Sequence, residues 1–384
     1  MVNKINIGAF IVLAFITFYI FGYKGKESGD QNSGSSKLHV AVFKGDGAGA
    51  TSVVETLEAL RIDTGIEAEA LTAKEIQNGK LNEFDALIIP GGSGSKQLLN
   101  LGESGKAIVR DFVENQGKGI IGICAGAYML SSTPGYPNLK LASSIHIDRA
   151  HYNRGRGLVE FELTDKGIDI FPELKGQRLF AQYYDGPVLV QSDSIEGSYQ
   201  ELGKYVTDIH PDDFAPEGIT PGKTFLLNQK KGNGKVFLTA GHPESTPGMR
   251  WMVPRMARWV CGSELVSYNK KWVRPEINDK AIIFDKALKK EEKKNFWLLF
   301  DENSDEQVKA MKTLHSYRSR PAVRWNLGLL RSIHPETRML AAKLLMETEY
   351  SDAIGDLQQA LEIEKDPNVK KTLQESIDFL NNKD

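Results

Sequence analysis

Cys124 is the residue around which chemistry can be built. It lies in Gly122-Ile123-Cys124-Ala125-Gly126-Ala127, after the apolar run Gly119–Ile123 and before a segment that can be helical from Tyr128. A G-x-C-x-G turn between a buried strand and a helix is a nucleophile elbow. Small neighbours let the nucleophile take a strained backbone conformation and project from the sheet edge. The N-terminus of the next helix favours negative charge, and so a thiolate. The bland reading is a small buried cysteine in a Gly-rich turn. Gly241-His242-Pro243-Glu244 follows a second buried run, 236–240, and should reach the same edge. His242 can act as base towards Cys124, and Glu244 can orient the imidazole and stabilise its cation. Pro90-Gly91-Gly92-Ser93-Gly94 ends a third buried run, 85–89. There the Gly92 and Ala125 N–H groups could form an oxyanion hole.

Other polar residues could shape a pocket. His146, Asp148, His151, Arg154 and Arg156 cluster in one stretch. Their spacing matches no standard metal pattern, so a polar loop near the pocket mouth is expected, with no metal and no cofactor. Arg154 or Arg156 could bind a substrate carboxylate bidentately. Tyr183, Tyr184 and Asp185 are candidates to line the pocket. Cys261, beside a closing helix, is read as structural.

The elements that must position these residues follow from pattern. Leu38–Phe43, 85–89 and Gly119–Ile123 read as buried strands, and 53–61 and 106–114 as helices. Strands alternating with helices argue for βαβ units and a parallel sheet with both faces covered. From about residue 140, short strand candidates at 158–163, 178–182, 188–191 and 224–228 lie between Gly, Pro and Asp turns. A helix over 251–260 closes this domain, assigned to 38–262. Residues 263–310 are expected to be a helical linker whose run Lys289–Lys294 is a solvated face. Residues 311–384 read as helical. Pro335 and Pro367 each open a helix with Arg338 and Lys370 in register, a spacing that resembles HEAT-type repeats, with a plain helical hairpin equally compatible. Such helices could carry a protein partner.

Residues 5–23 contain no charge and are long enough to span a hydrocarbon core. The run ends in bulky residues rather than a small-residue cleavage pattern, so an uncleaved signal anchor is expected, with a cleaved signal as the alternative. Residues 24–37 read as a flexible tether, and the folded part is placed outside the cytoplasm. With Lys+Arg 48 against Asp+Glu 50 there is no electrostatic footprint for nucleic acid. A hydrophobic fraction of 41% excludes disorder as the main theme, and two cysteines exclude a disulfide-stapled mini-fold.

Taken together, the elbow, the Pro90-Gly91-Gly92 loop and His242-Pro243-Glu244 resemble the class I glutamine amidotransferase-like superfamily. That resemblance implies a flavodoxin-like fold and a Cys-His-Glu triad. Gly155-Arg156-Gly157-Leu158-Val159-Glu160-Phe161 and Tyr183-Tyr184-Asp185-Gly186-Pro187 narrow it to the N-terminal domain of biotin–protein ligases, over about 38–262. The expected function is a membrane-anchored, cysteine-dependent hydrolase of a small amide or peptide. The alternative is a non-catalytic ligand-binding or scaffolding module that keeps the elbow as architecture. Redox sensing by Cys124 is a third, minor option.

Overall fold

The computed structural model describes residues 37–381. Its centre is a 12-stranded mixed sheet. The apolar runs supply most of the parallel part: β1 (Leu38–Phe43), β3 (Ala86–Ile89), β4 (Gly119–Ile123) and, late in the chain, β11 (Gly234–Thr239), with the charged strand β2 (Ile66–Leu71) at the edge. They lie side by side in the order β2-β1-β3-β4-β11, every neighbouring pair parallel. Side chains alternate between two cores. Val40, Val42, Ile88, Ile121 and Ile123 enter one, and Ala41, Phe43, Leu87, Ile89 and Ile120 the other. Helices cover both faces. α1 (Ala50–Leu60) and α6 (Met252–Cys261) pack on the first. α2 (Ala73–Gln77), α3 (Gly94–Glu114, kinked at Gly102) and the short α4 (Ala125–Leu130) pack on the second.

Beyond β11 the sheet is antiparallel, unlike the parallel sheet expected of the whole domain. β5 (Ser144–His146), β6 (Arg156–Leu163), β7 (Leu179–Tyr184), β8 (Leu189–Gln191), β9 (Gln200–Tyr205) and β10 (Thr224–Lys231) pair in this way, with α5 (Asp165–Ile170) between β6 and β7. Short strands joined by turns pair with their neighbours, because no crossover helix returns the chain in the same direction.

The stretch expected to be a helical linker begins otherwise. Residues 263–285 form turns and the two-residue strand β12 (Ile282–Ile283), which adds to β6. Helices follow from there on: α7 (Lys286–Leu298), α8 (Ser304–Ser316), α9 (Arg320–Leu329), α10 (Pro335–Glu347), α11 (Ile354–Ile363) and α12 (Pro367–Asn381). Proline opens α10 and α12 as the pattern suggests, and these helices share one core through Ala341, Leu345, Leu373 and Ile377. The 289–294 run lies on α7 and is exposed apart from Glu292, which pairs with Arg156 and accepts from Ser319 Oγ (2.6 Å). Among the described residues no helix is long and apolar enough to cross a membrane. The anchor and all of the tether but Lys37 lie outside the described residues.

Candidate active site at the carboxyl edge of the sheet

The loops after β1, β3, β4 and β11 meet at one edge, where open α/β sheets place their sites. Cys124 is the first residue after β4, with φ 52° and ψ −103°. A non-glycine residue at positive φ is strained by about 1–3 kcal/mol and is held there by its surroundings. Those surroundings are the Cys124 N–H bonded to Thr239 O (2.9 Å) and the Cys124 carbonyl accepting from Ala127 N (3.0 Å). A Cβ on Gly126 would stand 2.2 Å from Ile89 O, so the elbow can close against β3 only with glycine there.

His242 is fixed by its N–H to Gln182 O on β7 (2.7 Å), and its ring lies edge-on to Tyr184 at 5.9 Å. Its Nδ1 bonds Glu244 Oε1 at 2.7 Å. Its Nε2 is buried and has no hydrogen-bond partner among the described residues. Burial opposes a charged imidazole here, but Glu244 and Cys124 outweigh it and raise the His242 pKa to about 10. Glu244 is fully buried. Burial pushes its carboxyl up, while His242, Arg320 and Ser52 together hold it below the usual range. Both shifts favour an imidazolium–carboxylate pair, and the imidazole lines the same cavity as Cys124. The Cys124 thiol itself donates to Tyr184 O (3.2 Å).

Neither Gly92 N–H nor Ala125 N–H has an acceptor among the described residues, and both residues line the cavity above Cys124. That cavity measures about 720 Å³. Tyr184 and Asp185 line it as expected, and Asp185 (φ 49°) also accepts from Gly155 N (2.8 Å). Tyr183 is buried below and donates to Gly186 O.

Arg154 and Arg156 do not line the cavity. Arg154 is 1% exposed and pairs with Asp148 (2.9 Å), and Arg156 pairs with Glu292 and stacks on Phe284. Each guanidinium pairs with a carboxylate of this chain, and neither residue lines the cavity. His146, Asp148 and His151 do not converge as metal ligands. His151 bonds Asp148, whereas His146 sits against Tyr128 and Tyr136. Burial pushes the Cys261 thiol up to about 12.

Three site residues escape a reading of the sequence. Ser52, on α1, donates to Glu244 Oε1 (2.9 Å) and accepts from Gly91 N (3.0 Å). It thus ties the glycine loop to the His242–Glu244 pair. Glu55, one turn further, accepts from Ser245 Oγ (2.5 Å) and from Arg320 Nε (3.0 Å). Arg320 opens α9, stands over the Tyr184 ring and faces the cavity. The turn before it is pinned by Gln182 Nε2 to Arg318 O (2.8 Å) and Arg318 Nε to Asn278 Oδ1 (2.9 Å). Ser52→Ala strips Glu244 and Gly91 of a buried partner, so it is expected to lower the unfolding free energy by about 1–3 kcal/mol. Urea denaturation measures this, and an unchanged midpoint would contradict the link.

A buried strained cysteine, a hydrogen-bonded His–Glu pair and two N–H groups without an acceptor among the described residues gather at one cavity on a mixed α/β fold. Residues 38–260 match the family described as biotin-protein ligase, N terminal, and the chain belongs to that family. No curated protein sequence matches the chain. Among solved structures, a ThuA-like protein from Parabacteroides merdae ATCC 43184 is similar at 13% identity and TM-score 0.41, over 62% of this chain and 94% of that one. A cytoplasmic protein from Salmonella typhimurium LT2 is similar at 13% identity and TM-score 0.35, over 59% and 98%. A β-galactosidase from Bacillus circulans sp. alkalophilus shares 15% identity at TM-score 0.36, over 60% of this chain and 32% of its own.

Proposed function

We propose that the protein is a cysteine-dependent amide hydrolase of the glutamine amidotransferase-like kind. The observation that carries this reading is the hydrogen-bonded His242–Glu244 pair, whose imidazole lines the same cavity as Cys124. The strand order β2-β1-β3-β4-β11 supports the flavodoxin-like assignment. In this mechanism the Cys124 proton resides on His242, the resulting thiolate attacks the amide carbonyl, and the developing oxyanion takes hydrogen bonds from Gly92 and Ala125 N–H. His242 protonates the leaving amine as the C–N bond breaks. Water then attacks the thioester, His242 takes its proton, and the acid leaves as the thiolate–imidazolium pair is restored. Glu244 holds the imidazole and its charge throughout. In the same proposal, residues 5–23 anchor the chain to a membrane with the folded part outside the cytoplasm. Residues 38–262 form the hydrolase-like domain, and the C-terminal helices, HEAT-like in their spacing, are open to a protein partner.

The test is alkylation of Cys124 by iodoacetamide in the full chain carrying Cys261→Ser. At about pH 6–7 the rate is expected to fall about tenfold or more on His242→Ala, because the thiolate loses its cation. Equal rates would overturn the catalytic reading. One observation favours the module reading instead: the thiol donates to Tyr184 O, which a resting thiolate does not do. Under that reading the rate is slow and indifferent to His242.

A further inference from the structure

One wall of the cavity is unused by the triad. His146 ends β5, is 4% exposed and lines the cavity, yet neither of its ring nitrogens has a hydrogen-bond partner among the described residues. Its ring sits edge-on between Tyr128 (4.8 Å) and Tyr136 (4.7 Å). Burial, with Arg149 nearby, lowers its pKa to about 4, so it is neutral and holds one N–H donor. Arg149 stands over the Tyr136 ring at 5.8 Å, lines the same cavity and makes no ion pair among the described residues. Tyr136, His146 and Arg149 line the same cavity as Cys124. Asp185, whose carbonyl accepts from Tyr128 Oη (3.1 Å), has its carboxylate engaged with Gly155 N.

A neutral donor desolvated in a wall beside a free guanidinium suits a planar anion. One guanidinium and one imidazole N–H match the two oxygens of a carboxylate. His146 is 4% exposed at the cavity lining, which suits a small terminal group. A cavity of about 720 Å³ also holds more than a simple primary amide. We propose that His146 and Arg149 form a subsite for the terminal carboxylate of a short peptide or acyl-amino acid. This rests on the hydrolase reading only for what happens to the bound molecule. The subsite itself requires no chemistry at Cys124.

The test is calorimetry on the full chain carrying Cys124→Ala, with a panel of N-acetyl dipeptides and the same compounds as C-terminal amides. The free acids are expected to bind at least about tenfold more tightly than the amides, the scale of one charge-assisted pair. Arg149→Gln should erase that preference, Arg149→Lys should restore part of it, and His146→Phe should weaken the acids alone. Acids and amides binding alike, neither set binding, or a preference that survives Arg149→Gln would each overturn the subsite. Inorganic phosphate displacing the acids as well as acetate does would overturn its assignment to a carboxylate. Failure of the alkylation test with this preference intact would remove the hydrolase and leave the subsite.

Discussion

Arg320→Ala is expected to destabilise the fold by about 3–5 kcal/mol, the cost of leaving a buried charge without its partner. The stranded group is Glu55, 4% exposed, which faces Ser245 and the guanidinium. Glu244 also loses a cation that lowers its pKa, and the Tyr184 ring loses its cover. Equilibrium unfolding in urea reads the loss. Adding Glu55→Gln should recover much of it, because the double variant removes both charges. A single variant as stable as the parent, or a double variant no better than the single, would show that the pair is not a buried ion pair in solution.

Between about pH 6.5 and about pH 10 the folded state is expected to lose on the order of 2–5 kcal/mol through His242. Below the lower value both the folded and the unfolded chain bind the proton, and the stabilisation is complete. Between the two values only the folded chain binds it, so stability falls as pH rises. Above the upper value neither binds it and the contribution is gone. The measurement is the unfolding free energy across this window for the parent and for Glu244→Gln. The parent should fall more steeply, because the amide cannot sustain the imidazolium. Parallel curves would mean that Glu244 does not hold the charge.

The parts of the site that were legible in the sequence share one physical property. β3, β4 and β11 are short and buried on both faces, so they appear as unbroken apolar runs, and each ends in a residue pattern that chemistry can use. That was enough to bring Gly92, Cys124, Ala125, His242 and Glu244 to one edge. β2 was not legible because an edge strand reading IEAEAL carries charge on its open side, and β12 is two residues long. Ser52 and Glu55 look like ordinary polar positions on an amphipathic helix. Only the fold reveals that this face of α1 meets the His-Pro-Glu turn. Arg154 and Arg156 misled because a sequence shows a cation but not the carboxylate that occupies it. Arg320 left no signal, since a contact made so far along the chain has no periodicity to betray it.

Arg320's place in the chain has a consequence for biosynthesis. The segment that matches the family ends at residue 260, and Cys124 is made early, yet the cation that covers Glu55 belongs to α9. At ~5–20 residues per second, a ribosome needs roughly 10–40 s to travel from the elbow to α9. β5 to β11 are made within that interval, and until α9 follows, the cavity lining lacks Arg320. The thiol of a half-made chain is thus a different object from that of the released protein, and translation itself sets the moment at which the site is complete.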